Sequence, residues 1–418
     1  MRIQQNSSNV TLVYNHVEQR TSVTYPNTNS VTYAYNATSE LTSLTYKQGA
    51  TTLGDLTYTY DAAGKRIKTG GTFARSNIPP VLTTTSYNAN NQQTTFGTTT
   101  ETYDLIGNLA TSTDAGVTTT YTWNARNQLT GISRTGLTAS FTYDSFGRRT
   151  GRTVNGVVTN YVYDGLNPVQ EKNGGTVTAN LLTGLGIDEF FTRTDGVGSR
   201  ALLPDSLGST VALGDGTGAL QTQYTYEPFG LTTQTGSANT NSYKYTGREE
   251  DGTGLMYYRA RYYHPRLQRL ISEDPIVFGG GDINLYGYVW ENPLNYVDPS
   301  GYTAAAGAIA GAAMSGPPGA VIGAAIGAIG TAGVAWWILH SNPSADDPAV
   351  YPDNPKTAPE KFKKIRKSKG KQCIDDGSVW EPDTSGHGGD QWKRWPDKGS
   401  WEKGETPTSV WPDGRIRK

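Results

Sequence analysis

At 418 residues the chain is long enough for two or three domains with a sizeable core, and 50 glycines, 26 tyrosines and a charged fraction of only 17% favour many short strands and turns over helical bundles. A formal net charge of −1 excludes a global electrostatic partner, and the single cysteine, Cys373, excludes an internal disulfide and any multi-cysteine metal site. The opening MRIQQNSSNVTLVYNHVEQR has no apolar run of the signal-peptide kind, so export is read as the work of separate secretion machinery.

From Met1 to about Gly175 the chain repeats. Tyr-Asp or Tyr-Asn recurs with Gly or Asn three residues after the acid or amide: Tyr60-Asp61 with Gly64, Tyr103-Asp104 with Gly107, Tyr143-Asp144 with Gly147, then Tyr163-Asp164. Trp123-Asn124 with Asn127 replaces Tyr once, and Tyr14-Asn15, Tyr35-Asn36 and Tyr87-Asn88 are looser copies. The anchors at 103, 123, 143 and 163 lie 20 residues apart, the length of one β-hairpin with its connections. Each unit has an alternating strand such as TTTYTW or ASFTY, a turn at Asp-x-x-Gly, and a second strand such as LTGISR or RTGRTV. Asp or Asn closes such a turn through its side chain, and Gly takes the position with φ > 0. A lone hairpin is marginal in water, so the units must join into a continuous sheet. The tyrosine ladder is read as stacking between repeats, and no chemistry is assigned to it.

These units resemble the YD repeats of the RHS family. The resemblance implies a β-sheet spiralling as part of a shell around a C-terminal toxin. LLPDSLGSTVAL, at 202–213, and TYEPFG, at 225–230, look like segments of the RHS-associated core, here 176–302; read physically, they are two further β-turns.

Residues 245–302 contain two Asp-Pro pairs, Asp274-Pro275 and Asp298-Pro299. One reading is two turns in which Pro holds φ. The other is chemical: a carboxyl group with a raised pKa can attack or protonate the neighbouring carbonyl, and two such groups in one enclosure can split their pKa values into acid and base. Arg261 and Arg269 are the candidates to position them or steady an oxyanion. The segment is similar to the self-cleaving end of RHS and insecticidal toxin-complex shells, where an aspartyl site cuts after DPxGL. Mapped here, Asp298-Pro299-Ser300-Gly301-Tyr302 is that motif, and the implied scissile bond joins Tyr302 to Thr303. Tyr302 stands where Leu is usual and Val277 where Gly is usual, while Gln268 and Leu270 replace a usual Gly and Phe.

Residues 303–340 are apolar and glycine-rich, with Gly319, Gly323 and Gly327 four apart and Pro317-Pro318 breaking the run. The 21 residues from Gly319 to Leu339 match the ~20 needed to span a bilayer. Transient membrane contact and a flexible or packed linker are equal readings.

Residues 341–418 form a linker and a small basic domain. Between Lys361 and Lys371 there are seven basic residues and no acid, including Lys363, Lys364, Arg366 and Lys367; with Lys393 and Arg394 they suit nucleic-acid phosphates, or a solvated tail. Asp383, His387, Asp390 and Arg415 contain a base, an acid and a cation, the set that metal-free RNA cleavage through the 2′-hydroxyl requires. Trp380, Trp392, Trp395, Trp401 and Trp411 are read as the core of a small domain rather than as base-stacking rings. The order of these residues loosely resembles the ribonuclease domains of ribosome-inactivating colicins, which implies Asp383 and His387 as acid and base and Arg415 on a phosphate.

The fold class is therefore mainly β: a hairpin sheet (1–175) and core (176–302), then an apolar helical segment (303–340) and a small α+β domain (341–418). With the RHS resemblance, the function expected is a bacterial toxin carrier that frees a ribonuclease, acting on rRNA or tRNA in a target cell's cytoplasm, without cofactor or metal. A cognate immunity protein is the implied partner. The other readings are a cell-surface repeat protein with a C-terminal interaction module, and a membrane-permeabilising toxin.

Overall fold

The computed structural model describes residues 1–5, 8–302, 305–306, 362–364, 371–373, 378–382, 392–395, 398–403 and 408–410. The chain divides into two compact units, Met1–Val334 and Ala335–Lys418. In the first, strands β1 to β7, between Arg2 and Gly70, form one antiparallel sheet, and β8 to β23, between Thr85 and Gly236, form a second. Every strand pairs with its sequence neighbours, as stacked hairpins require. The ladder breaks once, between Gly70 and Thr85, and then runs without interruption past residue 175.

The alternation is visible in Leu137–Tyr143, where Leu137, Ala139 and Phe141 are buried and Thr138, Ser140 and Thr142 are exposed. Each turn is closed as its residues dictate. The Asp144 carboxylate accepts the backbone N–H of Phe146 and of Arg148, both at 2.9 Å, while Gly147 sits at φ 83°. Asn124 does the same for Arg126 and Gln128, with Asn127 at φ 57° in place of glycine.

The anchors do something other than stack. At each one the register shifts, as between Thr122 and Trp123 or Thr142 and Tyr143. A bulge disrupts the ladder locally and frees a backbone group. The next anchor reaches back to it: Trp123 Nε1 donates to Leu109 O at 2.8 Å, the Tyr143 hydroxyl to Leu129 O at 2.6 Å, and the Tyr163 hydroxyl to Arg149 O at 2.8 Å. Tyr and Trp are interchangeable there because both carry a donor at the tip of a flat apolar body.

One face of the first sheet packs against the second, joining Val10, Val31, Leu44 and Tyr46 to Phe191, Leu203 and Ala212 in one core. The inner face of the second sheet is covered by four short strands, β24 to β27 (Glu249–Glu250, Met256–Tyr258, Arg261–His264 and Arg269–Leu270). Tyr257 and Tyr262 on one face of this small sheet meet Leu129, Ile132 and Phe141 of the repeats; Tyr258, Tyr263 and Leu270 on the other meet Tyr245 and Tyr288. Buried ion pairs join the layers: Asp251 binds both Arg149 and Arg152, and the Arg149 guanidinium lies 4.2 Å from the Tyr257 ring centroid.

Two of the sequence's departures from family glycines fall on left-handed backbone, Gln268 at φ 60° and Val277 at φ 52°. A β-branched residue is least suited to that region.

In the second unit, Phe362–Lys364, Lys371–Cys373, Val379–Pro382, Trp392–Trp395 and Thr408–Val410 make an antiparallel sheet with a short helix, Lys398–Glu402. Trp380, Trp395, Val379 and Cys373 are buried in it, so two of the tryptophans are core as read from the sequence. No helix among the described residues is long and apolar enough to cross a membrane. The glycine-rich run of the 303–340 segment lies outside them; Ala305–Ala306 pairs with Tyr296–Val297 as a strand.

Tyr143→Phe is expected to lower the unfolding free energy of the full chain by about 1 kcal/mol, because Leu129 O loses its donor. Val277→Gly is expected to raise it by about 0.5–1 kcal/mol, strain relief less the extra freedom of glycine in the unfolded chain. Urea unfolding midpoints at constant slope check both; no change in either would count against these assignments.

Candidate functional site

The loop Asp298–Tyr302 is seated by a backbone bond and by one close approach that only glycine allows. Ser300 O accepts Ala260 N–H at 3.2 Å, and Gly301, at φ 77°, passes so close to Tyr258 that a Cβ would lie 2.0 Å from the Tyr258 carbonyl oxygen. This brings the end of the second Asp-Pro motif onto the β25–β26 hairpin, beside Arg261. That guanidinium donates from Nε to Gly301 O, from Nη1 to Leu285 O at 3.0 Å, and from Nη2 to Tyr302 O at 3.4 Å. Its Nη2 is also 3.0 Å from Asp274 Oδ2 and 3.9 Å from Asp298 Oδ2. The two acids of the sequence motif therefore share one cation, next to the carbonyl of Tyr302. Asp274 Oδ1 accepts Ile276 N–H at 3.0 Å; Asp298 Oδ1 accepts Gly301 N–H at 2.8 Å and the Ser300 hydroxyl at 3.1 Å. A cavity of about 20 Å³ is walled by these groups with Asp282, Trp290 and Tyr302. A larger one, about 100 Å³, lies between the sheets and touches Asp298 from behind, but Asp274 is not among its walls.

Charge stoichiometry decides the titration. At Asp188 burial opposes ionisation, but Arg248 and Arg259 together outweigh it and hold the carboxyl below its ordinary range. Burial acts likewise on Asp251, and Arg149 with Arg152 overcomes it. Asp274 and Asp298 have one guanidinium between them. Burial raises Asp274 to about 6, with Arg261 opposing and Asp298 adding, and burial raises Asp298 too, against the same arginine. Arg261 itself is pushed down by burial despite both acids.

Arg269, the other candidate cation, is not here. On β26 and β27 the pleat alternates: Arg261 and Tyr263 share one face with Leu270, while His264 pairs with Arg269 on the other. Arg269 instead lies between the Tyr87 and Tyr286 rings, at 5.3 and 4.9 Å, and donates to Asn91 O at 2.6 Å. It faces Glu101, which burial pushes up to about 7 against the Tyr103 hydroxyl and that arginine.

Thr303, Arg366, Lys367, Asp383, His387, Asp390 and Arg415 lie outside the described residues. Lys363 is exposed on its strand, Lys364 follows it, and Lys393 and Arg394 are on Trp392–Trp395, where the Arg394 guanidinium is 5.8 Å from the Trp380 ring. Among the described residues no group of three His, Cys, Asp or Glu is placed to hold a metal. Sequence reasoning passed over the Leu285 carbonyl and Gly280, whose α-carbon faces both Asp274 and Tyr302 O. The run Gly279-Gly280-Gly281 was the available signal.

Comparison with known proteins agrees with this architecture. A solved structure of TcdB2-TccC3-Cdc42 superposes with a TM-score of 0.52 at 20% identity, covering 72% of this chain and 20% of that one, which is a likeness of fold. Toxin subunit YenC1 of Yersinia entomophaga is 40% identical over 100 residues, and tRNA nuclease WapA of Bacillus subtilis is 38% identical over 102, each match covering 23% of this chain. The chain spans only 10% and 4% of those two relatives. The Teneurin YD-shell family matches residues 4–293. With that match over more than half its length, and with the meandering sheets just described, this chain belongs to the Teneurin YD-shell family.

Proposed function

We propose that this chain is the carrier end of a toxin, in which Asp274, Asp298 and Arg261 cut the Tyr302–Thr303 bond to free the C-terminal part. The observation that carries the reading is two raised carboxyl groups sharing one buried guanidinium beside the Tyr302 carbonyl. Burial raises both and one cation answers two acids, so the pair can share a single proton. The ionised member takes a proton from water as the oxygen adds to the Tyr302 carbonyl carbon. The protonated member gives its proton to the departing Thr303 nitrogen, and the C–N bond breaks to leave a carboxylate on Tyr302 and an amine on Thr303. Arg261 Nη2, already facing Tyr302 O, steadies the negative charge on that oxygen.

The freed part, on this reading, is a metal-independent ribonuclease. Asp383, His387 and Asp390 supply acid and base, Arg415 meets a phosphate, and Lys363, Lys364, Arg366, Lys367, Lys393 and Arg394 hold the RNA backbone. Support comes from the basic excess from Lys361 onward, 14 Lys/Arg against 9 Asp/Glu, and from a relative described as a tRNA nuclease. Delivery by secretion machinery into neighbouring cells and neutralisation by an immunity protein belong to the same proposal, as does any membrane contact of 303–340.

On a denaturing gel the purified chain is expected to run as two pieces, and Asp298→Ala as one. A wild-type band that stays full length would sink the self-cleavage reading. In chain made by cell-free synthesis, cleavage should slow by roughly tenfold per pH unit on the alkaline side, once both raised carboxyls have lost their protons; a rate that kept rising with pH would point to a different acid. Residues 344–418 expressed inside a bacterium should stop growth and cut RNA, and His387→Ala should abolish both. Growth arrest without RNA cleavage would instead favour a different effector.

A further inference from the structure

We infer that Gly280 is a positioning residue for this cleavage: its bare backbone is the wall against which the Asp274 carboxyl and the Tyr302 carbonyl are brought together. The inference rests on the self-cleavage reading. A Cβ built on Gly280 would lie 2.6 Å from Asp274 Oδ2 and 2.9 Å from Tyr302 O, closer than packed carbon and oxygen atoms can approach. Both atoms sit on one cation: this Oδ2 is the one Arg261 Nη2 touches at 3.0 Å, and the same Nη2 donates to Tyr302 O. Neither can retreat freely. Asp274 is held at its other oxygen by Ile276 N–H and at this one by Arg261, and Tyr302 is tied by its N–H to the Ser300 hydroxyl at 3.2 Å.

The three consecutive glycines are there for different reasons. Gly281 sits at φ 80° and closes the turn by donating its N–H to Phe278 O at 3.1 Å, so backbone conformation accounts for it. A Cβ on Gly279 would meet only Ile276, at an ordinary 3.7 Å. Gly280 lies outside the left-handed region, so alanine fits its backbone and fails only by contact. That makes Gly280→Ala a clean probe of the approach between Asp274 and Tyr302. Pushing the carboxyl away also takes it from Arg261, the cation that opposes its upward shift, so its proton should be held to higher pH.

The test compares the full-length wild type, Gly280→Ala and Gly279→Ala in cell-free synthesis, and measures melting in an Asp298→Ala background where no cut interferes. Gly280→Ala is expected to slow cleavage on the order of a hundredfold, as an ångström-scale displacement does. The alkaline midpoint of its rate profile should move to higher pH, a shift that loss of folded protein alone does not produce. Gly279→Ala should cut like wild type. If wild type cuts and Gly280→Ala cuts equally fast, this inference is overturned while the self-cleavage reading stands; if wild type does not cut, that reading falls and the inference with it. Should Gly280→Ala also melt early, the rate profile decides. Slower cutting with an unmoved midpoint is lost folded protein alone and overturns the inference, and a moved midpoint supports it.

Discussion

Buried charge in this protein is governed by how many guanidinium groups each carboxylate receives. Taking a carboxylate out of water is expensive, and in the interior it stays ionised only where cations answer it. Asp188 and Asp251 each receive two arginines and are structural joints. The joints reach far along the chain: Arg149 and Arg152 of the repeats meet Asp251 of the core, and Arg20 of the first sheet meets Glu189, in the connection just before the Phe190–Asp195 strand of the second, at 2.5 Å. At Asp274 and Asp298 the ratio is inverted, with one arginine for two acids. The same chemistry that fastens the layers elsewhere raises the proton affinity of these two groups.

The repeats are coupled by an arrangement of the same economy. A bulge at each anchor leaves a carbonyl outside the ladder, and the polar tip of the following anchor satisfies it. Buried backbone acceptors are seldom left alone, so each unit is completed by its neighbour. This explains why a tryptophan replaces one tyrosine without disturbing the period, and why the rings themselves need not touch.

Much of this was legible beforehand, and the rest was hidden for identifiable reasons. Local chemistry is written in adjacent residues, so the turns at Asp104, Asn124 and Asp144 and the alternating strands follow from spacing alone. The pairing of Asp274 with Asp298 across 24 residues was readable because both carry the same motif. Arg269 misled because two arginines eight residues apart are indistinguishable in a string, while the hairpin between them turns their side chains to opposite faces. The break after Gly70 had no signal of its own, because Pro79-Pro80 reads equally as another turn. Gly280 was invisible for a different reason: a close approach between remote groups leaves only a missing side chain as its trace.

The pairing of Tyr296–Val297 with Ala305–Ala306 is a two-residue stem whose strands flank, in sequence, the bond proposed to be cut. Opening a loop is not unzipping its stem. A break at that bond would nick the chain while two residues on each side remained laddered, so severance and departure would be separate events with separate clocks. The second clock would be set by a stem only two residues long, which thermal fraying or a gentle pull on the downstream chain can peel apart. In that arrangement the carrier would hold a cut cargo as a latch holds a closed door, and the length of the stem would set how long.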